Sequence, residues 1–322
     1  MRDDAILDLN RILVIRGGAI GDFILTLPAI KALRDAYPEA AIEILGYKHI
    51  AGLAENRFYA RRVHSIESGA LARFFAQNAE LPVELTKYFA GFDLIVSYLY
   101  DPDLIFEANL KRSGARKIIR GPAKVENTEH AARQLARAIE ELGIRVSDFA
   151  PKLFPSAEDR HRAAGFLAGL PKPIVVFHPG SGSDRKNWPL QSWIALGDYF
   201  LKNSTGSVVI VAGEADAAQI RELKSVWQIQ RVRFAQNLSL TNLAALLENT
   251  IFVGHDSGIS HLAAAAGAKC ILLFGPTDPA VWAPLNDNAR AIRAPNGDLR
   301  QLDVDLVRDV LDHELIRIGI ST

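Results

Sequence analysis

The residues of this chain that are best suited to chemistry lie in the stretch 254–261, Gly-His-Asp-Ser-Gly-Ile-Ser-His. The apolar run 250–254 predicts a strand, and the small polar turn after it leads at once into a predicted helix. The N–H groups in the first turn of a helix lack internal partners and carry the positive end of its dipole, which suits an anionic ligand. Asp256 adds an acceptor for hydroxyl groups, and His261 adds a donor one turn further along. A sugar joined to a phosphate requires this combination.

Within this stretch, the backbone N–H groups of Ser257 and Gly258 are the candidates for binding phosphate. Direct contact between Asp256 and a diphosphate would be repulsive, so we expect Asp256 to contact sugar hydroxyls instead. Two structural alternatives stay open at this stage. Asp256 can serve only as the N-cap of the helix, and His261 can be a structural histidine on the same helical face as Ser257.

A second candidate segment is the glycine- and serine-rich turn 180–186, which follows the predicted strand 174–177. Successive backbone N–H groups in such a turn can point at one phosphate, and Lys186 adds a compact positive charge. An ordinary surface turn with a solvated lysine is the alternative, and we expect Trp188 to be a packing residue. The residues of this turn that are candidates for binding a phosphate-containing ligand are Ser181, Gly182, Ser183 and Lys186.

Asp22 is the candidate for removing a proton from an attacking hydroxyl. It follows Gly21 just beyond the predicted strand 11–16, where Gly17 and Gly18 permit close approach of a ligand. Gly18 and Gly21 are therefore candidates for the acceptor side of a site. The alternative is that Asp22 only stabilises the first turn of a helix, where acidic residues are favoured and where the dipole would weaken it as a base.

Further polar residues also follow predicted strands. Glu214, after the strand 207–212, is a candidate for contact with a nucleotide ribose, and Thr277 and Asp278 are candidates for the floor of the site. The triplet 101–103 has the Asp-x-Asp pattern that can hold a divalent cation, but its central proline indicates a turn. We therefore expect neither a metal site nor a resident cofactor.

Two groups of basic residues are candidates for holding an anionic acceptor. Arg116 and Arg120 belong to six basic residues that fall within 111–124 without an acidic one, and Arg57 and Arg61 belong to a smaller group. The same residues would also suit an anionic bilayer surface, and a solvated basic face is the alternative to both roles. Over the whole chain 37 Lys and Arg balance 37 Asp and Glu, which argues against a nucleic-acid partner.

Predicted strands and helices alternate along the chain, which indicates an α/β architecture whose parallel sheets are covered on both faces. One series opens with the strand 11–16 and a second with the strand 174–177, and each opening strand is followed by a glycine-bearing turn and a helix. The segment 146–159 lies between them, and its two prolines and mixed charge indicate a linker.

We therefore predict two Rossmann-like domains, residues 1–150 and residues 151–322, that face each other across a central cleft. This is the GT-B architecture, in which each sheet presents the carboxyl ends of its strands to the ligand. A last helix is predicted at about 303–318, and in this architecture such a helix commonly packs back on the first domain.

The composition, with 49% hydrophobic and 23% charged residues among 322, is that of an ordinary soluble globular protein. The charged N-terminus lacks the apolar segment of a secretory signal, and no stretch approaches the ~20 apolar residues of a membrane-spanning helix. We expect a cytoplasmic location, with peripheral contact at the inner face of the inner membrane left open. The single cysteine, Cys270, lies in an apolar run and is expected to be a small core residue.

Four segments resemble, in the same order, the signatures of glycosyltransferase family 9, the ADP-heptose heptosyltransferases of bacterial lipopolysaccharide synthesis. The resemblance implies a GT-B fold, ADP-heptose as the nucleotide-sugar donor, and metal-independent transfer with inversion at the anomeric carbon. It implies an acceptor in the lipopolysaccharide core or a related cell-surface glycan, either a saccharide or a lipid-linked saccharide. Asp22 would be the base, and Ser181, Ser183 and Lys186 would hold the diphosphate. Between them the segments span most of the chain, and they are 16–22 with 27–29, 178–189, 254–267 and 275–279.

Other functions remain to be weighed against this one. A nicotinamide-dependent oxidoreductase would need a glycine in place of Arg16 and an acidic residue near 46–48, and both departures argue against it. A relative that binds a nucleotide sugar or a glycan without transferring it is a second alternative. A transferase of the same fold that uses another nucleotide sugar is a third, since motifs that hold a diphosphate do not identify the base or the sugar.

Overall fold

The computed structural model describes residues 9–213, 216–317 and 319. The chain divides into two compact units, Met1–Phe149 and Ala150–Thr322. Each unit contains one parallel β-sheet with helices. The predicted fold class, two α/β units built on parallel sheets, is therefore confirmed.

The first unit is built on a five-stranded parallel sheet in the order β3-β2-β1-β4-β5. Its strands are β1 Arg11–Arg16, β2 Ala41–Gly46, β3 Arg62–Ser65, β4 Leu94–Ser97 and β5 Ile118–Arg120. Its helices are α1 Ile20–Ala36, α2 Lys48–Ala51, α3 Val83–Ala90, α4 Ile105–Arg112 and α5 Ala131–Glu140, with a 3₁₀ helix at Gly69–Phe75.

The central strands of this sheet are apolar because helices cover both faces. Leu13 and Ile15 of β1 are fully buried against an aromatic cluster that includes Phe74, Phe89 and Phe106. These rings come from the 3₁₀ helix and from α3 and α4. Burial of large aromatic side chains is a major source of stability in such a core.

The second unit is built on a six-stranded parallel sheet in the order β11-β10-β9-β6-β7-β8. Its strands are β6 Ile174–His178, β7 Ser207–Ala212, β8 Val232–Gln236, β9 Ile251–His255, β10 Lys269–Phe274 and β11 Ala289–Arg293. Its helices are α6 Ala157–Leu167, α7 Leu190–Asn203, α8 Ala217–Val226, α9 Leu240–Leu247, α10 Gly258–Ala265, α11 Pro279–Trp282 and α12 Val304–Arg317.

Two predicted features of the second unit can be placed in its core. The last helix, α12, packs against α7 and β10 of its own unit, and its residues Val307, Leu311 and Leu315 are buried in the core of that unit. Cys270 of β10 is buried as well, as predicted.

Each sheet has one point at which the order of its strands reverses. In the first unit this point lies between β1 and β4, and in the second unit it lies between β6 and β9. Open parallel sheets bind ligands outside the carboxyl ends of the strands at such a point, because the connecting loops diverge there and leave a crevice. The segments that follow β1, β6 and β9 contain the predicted residues Asp22, Lys186 and Asp256, respectively.

Candidate active site

Three polar side chains from three separate loops meet at the carboxyl edge of the second sheet. Lys186 Nζ donates to Asp256 Oδ2 at 2.6 Å, and Thr277 Oγ1 donates to the same oxygen at 2.7 Å. Lys186 follows β6, Asp256 follows β9 and Thr277 follows β10. The Asp256 side chain is only 9% exposed, whereas Lys186 is 30% exposed. This arrangement keeps a carboxylate fixed and leaves the ammonium group accessible to a ligand.

The N-terminus of α10 lies next to this cluster. Ser257 is its N-cap, and Ser257 Oγ accepts from Ser260 N at 3.4 Å. The alternative in which Asp256 caps the helix is therefore wrong, because the neighbouring serine fills that role. Gly258 is the first residue of the helix, so no side chain at that position hinders the approach of a ligand to the backbone. Phosphate contact by Ser257 and Gly258 stays a prediction.

The loop after β6 contrasts a closed position with an open one. At Gly180 a Cβ atom would lie 2.0 Å from Asp216 Oδ1, so a side chain fits there only if the Asp216 carboxylate moves. At Gly182 a Cβ atom would meet nothing within 4 Å. Ser181 Oγ accepts from Ser183 N at 3.2 Å and donates to Ser183 O at 2.8 Å, which gives the exposed tip its shape. The structure therefore brings Lys186 to Asp256 but leaves Ser181, Gly182 and Ser183 at an accessible loop tip.

Two buried histidines below this loop were not predicted from the sequence. His178 and His255 end the neighbouring strands β6 and β9, and both are buried. Burial lowers the pKa of His178 to about 4, against an opposing effect of Asp216. Burial, followed by the nearby His178, lowers the pKa of His255 to about 3. Both rings are therefore neutral near pH 7. Histidines that terminate two apolar strands were the available sequence signal.

These histidines predict an acid-sensitive fold. In the unfolded chain each ring binds a proton near pH 6.5, whereas the folded rings stay neutral down to about pH 4 and about pH 3. Unfolding therefore takes up protons below about pH 6.5. As the pH is lowered below that value, the free energy of unfolding should decrease by about 1.4 kcal/mol per pH unit for each histidine. Urea unfolding between pH 7.5 and pH 4.5 measures this slope. His255→Gln should reduce this slope by the contribution of one proton, whereas substitution of an exposed histidine, His161→Gln, should leave the slope unchanged. Equal slopes in all three proteins would contradict the conclusion that His255 is held neutral in the folded protein.

The remaining predicted donor residues are placed as follows. His261 is buried within α10, so contact with a donor stays a prediction for which burial gives no support. Glu214 lies outside the described residues. Asp278 caps α11 by accepting from Ala280 N at 3.0 Å, whereas Thr277 belongs to the cluster around Asp256.

In the first unit, Asp22 lies in the first turn of α1, at the carboxyl end of β1. Asp22 Oδ2 accepts from Ala19 N at 3.0 Å, so the aspartate does cap the helix as the structural alternative proposed. Its side chain is nevertheless 35% exposed. It borders a cavity of about 440 Å³ whose wall includes Gly18, Tyr47 and Tyr100. Capping and access to a ligand thus coexist at this carboxylate.

Arg16 is the residue of this site that the sequence reasoning missed. Its side chain is only 4% exposed, and its guanidinium lies 3.5 Å from Asp22 Oδ1 and donates to Asp22 O at 3.3 Å. Burial lowers the pKa of Arg16, against the opposing effect of Asp22. The ring of Tyr98 lies beneath it, with the guanidinium carbon 5.8 Å from the ring centre. A buried cation at the end of β1 therefore fixes the first turn of α1.

Glycine is required at one position beside this carboxylate. Gly18 has φ +103°, a backbone conformation that residues with a side chain rarely adopt, and a Cβ atom there would lie 2.8 Å from Asp22 Oδ2. Gly21 lies within α1, one residue before Asp22. Both predicted glycines therefore belong to the segment that presents Asp22, and contact with an acceptor stays a prediction for each.

The predicted basic candidates do not gather around Asp22. Arg61 directly precedes β3 and Arg116 lies two residues before β5, both at the amino edge of the sheet, and Arg116 pairs with Asp93. Arg57 donates to the carbonyls of Gly52 and Glu55 in the segment before β3. Only Arg120 lies at a carboxyl end, that of β5, where it is 3.7 Å from Glu107 Oε2. Of the predicted arginines, Arg120 is therefore the one included in the proposed site.

The described residues contain neither a group of side chains suited to a metal ion nor a helix suited to crossing a membrane. In the part of the chain that the structure describes, no three His, Cys, Asp or Glu side chains are grouped so as to hold a metal ion. Asp101 of the Asp-x-Asp triplet instead accepts from Phe106 N at 3.1 Å and from Glu107 N at 2.9 Å at the start of α4. None of the helices within the described ranges is both long enough and apolar enough to cross a membrane.

Known proteins resemble this chain in sequence and in fold. Lipopolysaccharide heptosyltransferase 3 of Escherichia coli is 26% identical over 310 residues, which is 90% of each chain. A glycosyltransferase family 9 structure from Veillonella parvula superposes with a TM-score of 0.81 at 19% identity, covering 97% of this chain and 99% of that one. Escherichia coli heptosyltransferase WaaC, solved with ADP-2-deoxy-2-fluoro heptose, superposes with a TM-score of 0.69 at 20% identity, covering 94% and 99%.

These two solved structures have the same fold as this chain. The family is identified by a match of the sequence to the model of that family. The profile of glycosyltransferase family 9 (heptosyltransferase) matches residues 110–305, well over half of the chain. That range contains the Lys186–Asp256–Thr277 cluster, the capped N-terminus of α10 and both buried histidines. The protein therefore belongs to glycosyltransferase family 9, the heptosyltransferase family, and is a glycosyltransferase.

Proposed function

We propose that this protein transfers a heptose from ADP-heptose to a saccharide acceptor of the lipopolysaccharide core or a related cell-surface glycan. The observation that carries the proposal is the contact of Lys186 and Thr277 with Asp256 beside the N-terminus of α10. A diphosphate needs cationic and N–H donors, and a sugar needs an acceptor for its hydroxyls. Family membership, the heptosyltransferase relatives and the donor analogue in WaaC support heptose as the sugar.

The second unit is proposed to bind the donor. Lys186 has three N–H donors, of which Asp256 uses one, so the ammonium group can contact a phosphate while keeping its partner. The N–H groups of Ser257 and Gly258 add the positive end of the α10 dipole. Together they would stabilise the charge that grows on the departing ADP. This is the role that a divalent cation has in other transferases, and we propose that the reaction requires none.

The first unit is proposed to supply the base. Asp22 would accept the proton of the acceptor hydroxyl while that oxygen bonds to the anomeric carbon and the bond from carbon to the diphosphate oxygen breaks. A single displacement of this kind inverts the anomeric carbon and releases ADP. Of the four predicted arginines, Arg120 is the one at a carboxyl end of the sheet, and it is proposed to hold an anionic group of the acceptor. With a lipid-linked acceptor, the protein would act at the inner face of the inner membrane.

The test is calorimetric titration with ADP, UDP, GDP and NAD in a buffer that contains a chelator. We expect ADP to bind without metal, because the proposed phosphate contacts come from Lys186 and backbone N–H groups. We expect ADP to be preferred over UDP and GDP because the similar WaaC structure was solved with an ADP-sugar analogue. Turnover of ADP-heptose with release of ADP would then distinguish an enzyme from a non-catalytic relative. Preference for UDP or GDP would favour the alternative of another nucleotide sugar, and tight binding of NAD or a strict metal requirement would overturn the proposal.

A further inference from the structure

The loop that carries Lys186 is attached to the sheet at both of its ends by one side chain. His255 Nε2 accepts from Trp188 N at 2.8 Å, and His255 Nδ1 lies 3.4 Å from Gly180 O. Gly180 and Trp188 are both buried, whereas residues 182–185 between them are exposed. The imidazole of His255 is fully buried beneath them. A single ring thus bridges the start and the end of the exposed segment.

The partners of the ring determine its tautomer. Because burial holds the pKa of His255 at about 3, the ring is neutral and has one donor and one acceptor nitrogen. A backbone N–H can only donate, so Nε2 must be the acceptor for Trp188 N, and Nδ1 carries the hydrogen that points to Gly180 O. The ring is therefore matched to both contacts in one state of protonation.

The same residue is joined to the other half of the donor site. Ser260 Oγ in the first turn of α10 donates to His255 O, and Asp256, the next residue, accepts from Lys186. On the loop side, Trp188 is held by its indole N–H, which donates to Leu302 O at 3.0 Å. His255 thus joins the lysine-bearing loop to the strand and helix that present Asp256.

We propose that His255 is a positioning residue that holds Lys186 in place for the donor diphosphate. The inference rests on the proposed function of Lys186 and adds a residue that touches neither donor nor acceptor. Side chains that fix the supports of a contacting residue typically affect ligand affinity through that residue, because misplacement of a charge weakens its hydrogen bonds steeply.

The test is a double-mutant cycle on ADP affinity. His255→Asn, whose side chain is too short to reach Trp188 N, should weaken ADP binding about tenfold, since a buried N–H is left without its partner and Lys186 loses its support. His255→Gln, which can still offer an acceptor to Trp188 N, should stay within about threefold of wild type. In a Lys186→Ala background, His255→Asn should change ADP affinity by less than about twofold. Equal weakening in both backgrounds would overturn the proposal.

A matched control separates positioning from loss of stability. Thr250→Val removes a buried hydroxyl just before the amino end of β9, where Thr250 Oγ1 donates to Leu247 O at 2.8 Å. This variant loses a buried hydrogen bond beside the same strand but far from the loop, so we expect its ADP affinity to match wild type. A loss as large as that of His255→Asn would mean that general softening of the unit explains the effect, and positioning would be rejected.

Hydrogen exchange of the ligand-free protein tests the inference without any donor. The hydrogen-bonded amides of Lys186, Asn187 and Trp188 should exchange about tenfold faster in His255→Asn than in wild type, because the loop opens more often once its attachment is lost. Unchanged exchange in this segment would overturn the proposal. Failure of wild type to bind ADP would instead reject the proposed function, while the exchange rates would still decide whether His255 holds the loop.

Discussion

Replacing Asp22 by Asn is expected to lower kcat by about 10²- to 10⁴-fold, the range that general base catalysis contributes. Asn keeps the shape of the side chain and can still accept from Ala19 N, so the cap on α1 should survive. ADP affinity should be unchanged, because the proposed contacts to the diphosphate lie in the second unit. Single-turnover kinetics together with calorimetric titration of ADP measure both quantities.

The control for this variant is Asp35→Asn on the same helix. Asp35 is exposed and pairs with Lys31, so the exchange removes the same charge from α1 without touching the cavity beside Asp22. We expect full activity and an unchanged melting temperature from Asp35→Asn. Asp22→Asn should melt at a lower temperature, because the buried Arg16 guanidinium loses its charged partner, so kcat is compared at a temperature at which both proteins are folded. Retention of kcat within about tenfold by Asp22→Asn would show that the carboxylate only caps the helix, as in the structural alternative.

The second large effect is expected from Lys186→Ala, which should weaken ADP binding by about 10- to 100-fold, the loss of one or two hydrogen bonds from a charged donor. Removing the ammonium group also leaves Asp256, a largely buried carboxylate, beside the proposed diphosphate site without its cation. The double variant Lys186→Ala with Asp256→Asn separates these causes, because it removes the repulsion while the cation stays absent. We therefore expect the double variant to recover part of the lost affinity for ADP.

Calorimetry at two ionic strengths completes this test. Attraction between a partly exposed lysine and a diphosphate is screened by salt, so Lys186→Ala should also show a weaker salt dependence of ADP binding than wild type. Lys202→Ala, which removes an exposed lysine from the end of α7, is the control and should match wild type. Unchanged ADP affinity in Lys186→Ala would remove Lys186 from the donor site.

The central part of each sheet was predictable from the sequence, and the edges were not. Apolar runs predict strands at 11–16, 41–45, 92–98, 174–177, 207–212, 250–254 and 269–274. These correspond to β1, β2 and β4 in the first unit and to β6, β7, β9 and β10 in the second. All four strands that were missed are edge strands, β3, β5, β8 and β11. A central parallel strand is buried on both faces and reads as an apolar run, whereas an edge strand such as β11, Ala-Arg-Ala-Ile-Arg, carries charged residues and loses that signal.

The site was predictable where local sequence determines it. Lys186 and Asp256 were found because glycine-rich turns after buried strands have a recognisable composition. The bonds of Thr277 to Asp256 and of His255 to Trp188 join residues far apart in the chain, and only the packing of strands brings them together. The position of the basic residues could not be predicted for the same reason. The segment 111–124 runs from the end of α4 through β5, so its basic side chains lie at different edges of the sheet.

Gly180 and Gly182 of the lysine-bearing loop differ in the space that each has for a side chain. A Cβ atom at position 180 would lie 2.0 Å from Asp216 Oδ1, so a side chain there would require the Asp216 carboxylate to move, whereas position 182 opens to solvent. A library intended to alter donor preference can therefore vary residues 181–183 without displacing the core. Natural divergence is subject to the same restriction, so new sugar specificities in this lineage are expected to arise at the tip of the loop and not at its base.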